Sequence, residues 1–207
     1  MHASAFILFA LTSLVFIFTP GPDILYVITR SLTQGRRAGL AAALGFASGL
    51  PVHSAAAAFG LALLLRSSPV AIRTLAMAGA AYLLYLAIRT LRSPDAFLPA
   101  VSSDSRSIWS IYLQSLTMNL LNPKVALFFL TFLPGFLPTQ AAHPTILTLF
   151  LGLTFTVLTI AGFSSAALLA GSLGNVLRTR PAVGSTLRYV TALLFLALAV
   201  NLALYRP

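Results

Sequence analysis

The sequence predicts an all-α polytopic membrane protein whose six transmembrane helices are laid out as two inverted three-helix repeats. Three observations carry this expectation. Of 207 residues, 58% are hydrophobic and only 8% are charged, with a mean hydropathy of +0.95. A soluble domain carries about 25% charged residues, so too few polar groups are present here to build a water-facing surface. The charges also fall between apolar runs, each long enough to cross hydrocarbon, which needs about 20 residues. Finally, two of those runs are interrupted at corresponding places by polar motifs that contain proline.

The first run, about 4–29, has no basic leader and no small-x-small cleavage site, so it is expected to be a retained span rather than a cleaved signal peptide. It carries the first interruption, Thr19-Pro20-Gly21-Pro22-Asp23. The second run, about 37–65, is rich in small residues. Its Gly45 and Gly49 form a small-xxx-small pattern that lets helices approach closely, inside the bundle or at the seam of a homodimer. The third run covers about 70–91. The fourth, about 108–133, holds the second interruption, Asn119-Leu120-Leu121-Asn122-Pro123-Lys124. The fifth and sixth cover about 144–172 and 185–205, with Gly171 to Gly174 reading as a helix end. The second and fifth runs exceed the hydrocarbon thickness, which leaves room for tilt or a kink.

The polar stretch 93–107 divides one membrane domain, residues 1–207, into repeat 1 at about 1–92 and repeat 2 at about 108–207. Three spans is an odd number, so the second half must enter the membrane from the opposite face. Arginines set the orientation. Arg30, Arg36 and Arg37 lie in the first connection, Arg89, Arg92 and Arg106 in the third, and Arg178, Arg180 and Arg188 in the fifth. The other side holds only Arg66, Arg73 and Arg206. Positive residues stay in the cytoplasm, which places both termini outside. The net charge of +10 therefore reads as an orientation signal. Nucleic acid is not expected as a partner, because no basic stripe with interleaved aromatics is present. The absence of cysteine excludes disulfides, thiolate metal sites and thiol redox carriers. No cofactor is expected.

The two interruptions are the chemical signal. Pro22 lies 18 residues after Ser4, and Pro123 lies 15 after Ile108, so they occupy similar places in their halves. Each is followed by a charge, Asp23 in one and Lys124 in the other. Proline removes a backbone donor and clashes with the preceding turn. In a membrane, the freed backbone groups survive only inside protein or beside a wet cavity. Half-helix ends then present partial charges that suit the carboxylate and ammonium of an amino acid. The blander reading is a pair of ordinary proline kinks. Asp23 and Lys124 are expected to face one shared cavity, where Asp23 takes a substrate ammonium or a proton and Lys124 neutralises it or holds a carboxylate. A purely structural ion pair is the competing account. His53 is either a proton shuttle or a packing residue. Gln114, Asn119 and Asn122 either line the cavity or bond helices together.

These motifs resemble the lysine exporter (LysE) family, especially its homoserine and threonine resistance (RhtB) branch. The resemblance rests on Thr-Pro-Gly-Pro-Asp at 19–23, on Gly-Arg-Arg-Ala-Gly at 35–39 with Gly45, Gly49 and His53 downstream, and on Asn-Leu-Leu-Asn-Pro-Lys at 119–124 leading into Phe128-Phe129-Leu130 and Phe132-Leu133-Pro134. It spans essentially the whole chain. It implies a multi-pass exporter of amino acids or close derivatives in a bacterial inner membrane, exchanging cargo for protons. It also implies a transport core at Pro20, Gly21, Pro22, Asp23, Asn122, Pro123 and Lys124. One buried acid and one buried base match a small neutral amino acid better than a basic one. Competing readings are export of basic amino acids or of a cation, for which only Asp23 and His53 would be ligands within the spans. An intramembrane enzyme using Ser164 or Ser165 with His53 is a further alternative, although no nucleophile motif surrounds those serines.

Overall fold

The computed structural model describes residues 3–19, 21–67, 69–92, 105–138, 142–170, 172 and 181–204. Most of these residues are helical, and no strand is found among them. In chain order the helices are α1 (Ala3–Phe18), α2 (Pro22–Gln34), α3 (Arg36–Ser67), α4 (Pro69–Arg92), α5 (Ile108–Leu120), α6 (Pro123–Leu127), α7 (Pro144–Leu168) and α8 (Pro181–Leu204). After α6 the chain continues as a π-helical turn, Phe128–Phe132, and a 3-10 turn, Leu133–Phe136. Five helices begin at proline, where the missing N–H would have had no intrahelical partner and φ is already suited to a helix. Ser107 caps α5 by accepting a hydrogen bond from the Ser110 N–H at 3.1 Å.

Both interrupted runs are broken. α1 and α2 meet at 58°, and α5 and the Pro123–Phe136 segment at 47°. The breaks fall between helices of 16 and 13 residues in the first case, so Asp23 sits near the middle of its pair rather than near an end. The first span also runs further than expected. Arg30, assigned from sequence to a connection, lies inside α2 with 5% exposure and donates to Gln34 Oε1 at 2.8 Å. Gly35 makes the turn into α3 at φ 87°, a backbone region that only glycine occupies without strain.

α3 is the hub, packing against α7, α5 and α2, while α4 and α8 pack on each other. Its small residues are used within the chain. A Cβ on Gly45 would strike the Tyr112 carbonyl of α5, one on Gly49 would strike the Asn119 side chain, and one on Gly39 would lie 2.9 Å from Ala167 Cβ of α7. The Gly45–Gly49 face is therefore covered by α5, and that motif supplies no surface for a second copy. α7 returns the favour at Gly152, which lies against Ser54. Large apolar side chains are as common outside as inside: Leu8, Val52, Ile146, Leu153 and Leu193 are all more than half exposed. A bundle that is apolar on both its core and its outer faces is built for lipid.

The chain is a multi-pass membrane protein. α3 and α7 are each long and apolar enough to cross a bilayer, and the two bent pairs bring the number to four among the described residues. α4 and α8 have 24 residues each.

Candidate transport site

The two breaks face each other. Pro22 and Pro123 each stand at the first position of a helix, so Asp23 and Lys124 occupy the same place one residue later. The Lys124 ammonium lies 3.9 Å from Asp23 Oδ2, and both side chains are buried. Each charge is also held by a helix end. Asp23 lies in the first turn of α2, where the macrodipole favours an anion. Lys124 Nζ donates to the Thr19 carbonyl at 3.4 Å, just beyond α1, and sits 4.6 Å from the Phe16 ring centroid. Asp23 Oδ1 has no hydrogen-bond partner.

Gly21 makes this approach possible. A Cβ there would lie 2.7 Å from Asp23 Oδ1 and 3.3 Å from Lys124 Nζ. Its φ of −150° is ordinary extended backbone, so the requirement is for space alone. Asn122 caps α6 by accepting from the Lys124 N–H at 3.0 Å. Pro20 lies outside the described residues.

Beside the pair is a cavity of about 390 Å³. The first break contributes Gly21, Pro22 and Leu25, and the second Asn122, Pro123 and Lys124. The remaining wall is Tyr82, Leu86, Arg89 and Thr90 of α4, with Phe195 of α8. Sequence reasoning missed this wall. From sequence Arg89 reads only as an orientation charge, yet the spacing of Tyr82, Leu86, Arg89 and Thr90 places them on one face of a helix, and that period is the signal that finds them. A second cavity of about 10 Å³, about the size of one water, is lined by Asp23, Asn119 and Thr159 among apolar residues. Asn119 Oδ1, like Asp23 Oδ1, is buried without a partner.

The structure separates the remaining candidates. Asn122 lines the large cavity and Asn119 the small one. His53 serves a helix end: its Nε2 lies 3.1 Å from the Asn119 carbonyl, which also accepts from the Asn122 N–H at 2.9 Å. A carbonyl only accepts, so Nε2 carries the proton. His53 thus satisfies a carbonyl that the break in the fourth span leaves without its helical partner. Gln114 accepts from Tyr26 at 2.6 Å and Arg106 at 2.8 Å, which makes it interhelical glue. Ser165 donates to the Ala161 carbonyl of its own helix at 2.7 Å.

Two helices broken at matching positions, with a buried charge pair between the breaks and a cavity beside it, are features that point to a transporter. The chain belongs to the LysE type translocator family, whose model matches residues 14–206. Members of this family transport amino acids or related solutes across membranes. The chain is similar to an uncharacterised membrane protein of Pseudomonas aeruginosa, 34% identical over 151 residues, covering 70% of this chain and 66% of that one, just under two thirds of its length. It is also similar to an uncharacterised membrane protein of Vibrio cholerae, 30% identical over 180 residues, covering 86% of this chain and 87% of the relative. No solved structure matches.

Proposed function

We propose that this protein is a secondary exporter of small, neutral amino acids or close derivatives, resident in a bacterial inner membrane, working by alternating access in exchange for protons. The observation that carries the reading is the meeting of both broken helices at Asp23 and Lys124 beside the 390 Å³ cavity. Six crossings, with α4 and α8 completing two inverted repeats, fit the pairing of α3 with α7 and α4 with α8, because each pair joins corresponding spans of the two halves. The arginine distribution turns the C-terminal end of α4, and with it the cavity, toward the cytoplasm. The opposite side of the pair is filled by phenylalanines. Phe16 lies 4.4 Å from Phe128, and Phe128 lies 4.6 Å from Phe155, centroid to centroid. The arrangement is that of a loading state, open inward and closed outward by an aromatic plug.

The coupling follows from competition. Asp23 can hold a cargo ammonium or a proton, but not both, and mutual exclusion at one carboxylate is what exchange requires. Lys124 faces the carboxylate at 3.9 Å and balances its charge when neither is bound. The test is efflux from cells preloaded by dipeptide feeding, comparing wild type, Asp23→Asn and Lys124→Ala at matched membrane expression. Faster outward movement of one or a few amino acids by wild type, lost in both variants, supports the reading. Efflux no faster than from empty-vector cells across the panel refutes it.

A further inference from the structure

We infer that Arg89 binds the carboxylate of the cargo during loading, and that the vestibule therefore selects carboxylate-bearing solutes over those with a net positive charge. The inference rests on the exporter reading above and specifies the chemistry of the same cavity. Arg89 and Lys124 both line that cavity, and among the described residues no acid does. Asp23 lies behind Gly21 and lines the small cavity instead. The start of α2, at Gly21 and Pro22, opens onto the same space and adds its partial positive charge.

The two cations are not equivalent. Lys124 is buried and already engaged with Asp23 and the Thr19 carbonyl. Arg89 has an exposed side chain and no ion-pair partner among the described residues. Its planar guanidinium offers a fork of donors that matches a carboxylate in two-point contact. A solute arriving from the cytoplasm meets Arg89 on the outer wall and Lys124 at the break. An amino acid docked by its carboxylate on Arg89 carries its ammonium toward Asp23, the only acid among the described residues. A solute whose carboxylate is masked presents no anion to the two cations, and one whose side chain adds a second ammonium brings a net positive charge against them.

The test uses the full-length protein in phosphatidylethanolamine–phosphatidylglycerol vesicles under a proton gradient. Labelled threonine, homoserine and alanine are compared with the amides of threonine and alanine and with lysine. Wild type is expected to move one or more of the first three and to move the amides and lysine at least about tenfold more slowly, the factor set by losing a charge-assisted contact. Arg89→Gln should raise KM for the favoured amino acid about tenfold with a smaller change in maximal rate, and Arg89→Lys should recover part of the loss. Arg92→Gln, which removes an exposed charge from the same helix end without touching the cavity, should behave as wild type. Amides or lysine moved as fast as the parent amino acids, or an unchanged KM in Arg89→Gln, overturn this inference and leave the exporter reading standing. A wild type that moves none of the compounds overturns both.

Discussion

Removing Asp23 and Lys124 singly and together separates a transport site from a structural clasp. At 3.9 Å, with an effective dielectric constant of about 20, their attraction is about 4 kcal/mol. Losing one partner of a buried pair costs about 3–5 kcal/mol, because the other is left uncompensated. Asp23→Asn should fall at the lower end, near 3 kcal/mol, since Lys124 keeps the Thr19 carbonyl and the Phe16 ring. Lys124→Met should cost a similar amount, since Asp23 keeps its place at the positive start of α2. The double variant should lose only about 1 kcal/mol, because a neutral pair of similar volume has no charge to bury. The assay is a double-mutant cycle on unfolding in mixed micelles, run alongside efflux at matched expression. The coupling should be several kcal/mol, and the double variant should be stable yet inactive. Additive losses would show that the two residues do not interact. Wild-type efflux from the double variant would show that the pair only locks the halves together.

Two further outcomes are expected. Gly21→Ala should cut efflux much more than it lowers stability, because the new methyl group meets Asp23 Oδ1 at 2.7 Å and pushes it off the Lys124 ammonium; normal efflux from that variant would mean the pair tolerates separation. His53→Phe should lose about 1–2 kcal/mol in a thermal or denaturant melt, the value of a buried hydrogen bond to a helix-end carbonyl, while His53→Gln should recover stability and efflux together. A His53→Gln protein that is fully stable but inactive would assign His53 to proton transfer instead.

Much of this molecule was legible in its sequence because the bilayer leaves a chain few choices. A segment that enters hydrocarbon must satisfy its backbone internally, so long apolar runs become helices of nearly the expected extent, such as α3 at Arg36–Ser67 against an expected 37–65. Proline acts locally too, and both breaks lie where Pro22 and Pro123 put them. Burial of Asp23 and Lys124 near each other was foreseeable, since neither charge survives in lipid without a partner. Packing decided the rest. Whether Gly45 and Gly49 face a second copy or α5 depends on which helix reaches them, and α5 does. By its chemistry His53 can serve protons or packing; the tertiary structure adds that its Nε2 lies 3.1 Å from the Asn119 carbonyl. Arg89 looked like every other orientation arginine, because its charge is visible in sequence but the wall it shares with Lys124 is not. Composition and local backbone chemistry act within a few residues and set the spans and breaks, whereas a binding cavity is the space left between helices far apart in the chain, and only their tertiary packing determines which side chains surround it.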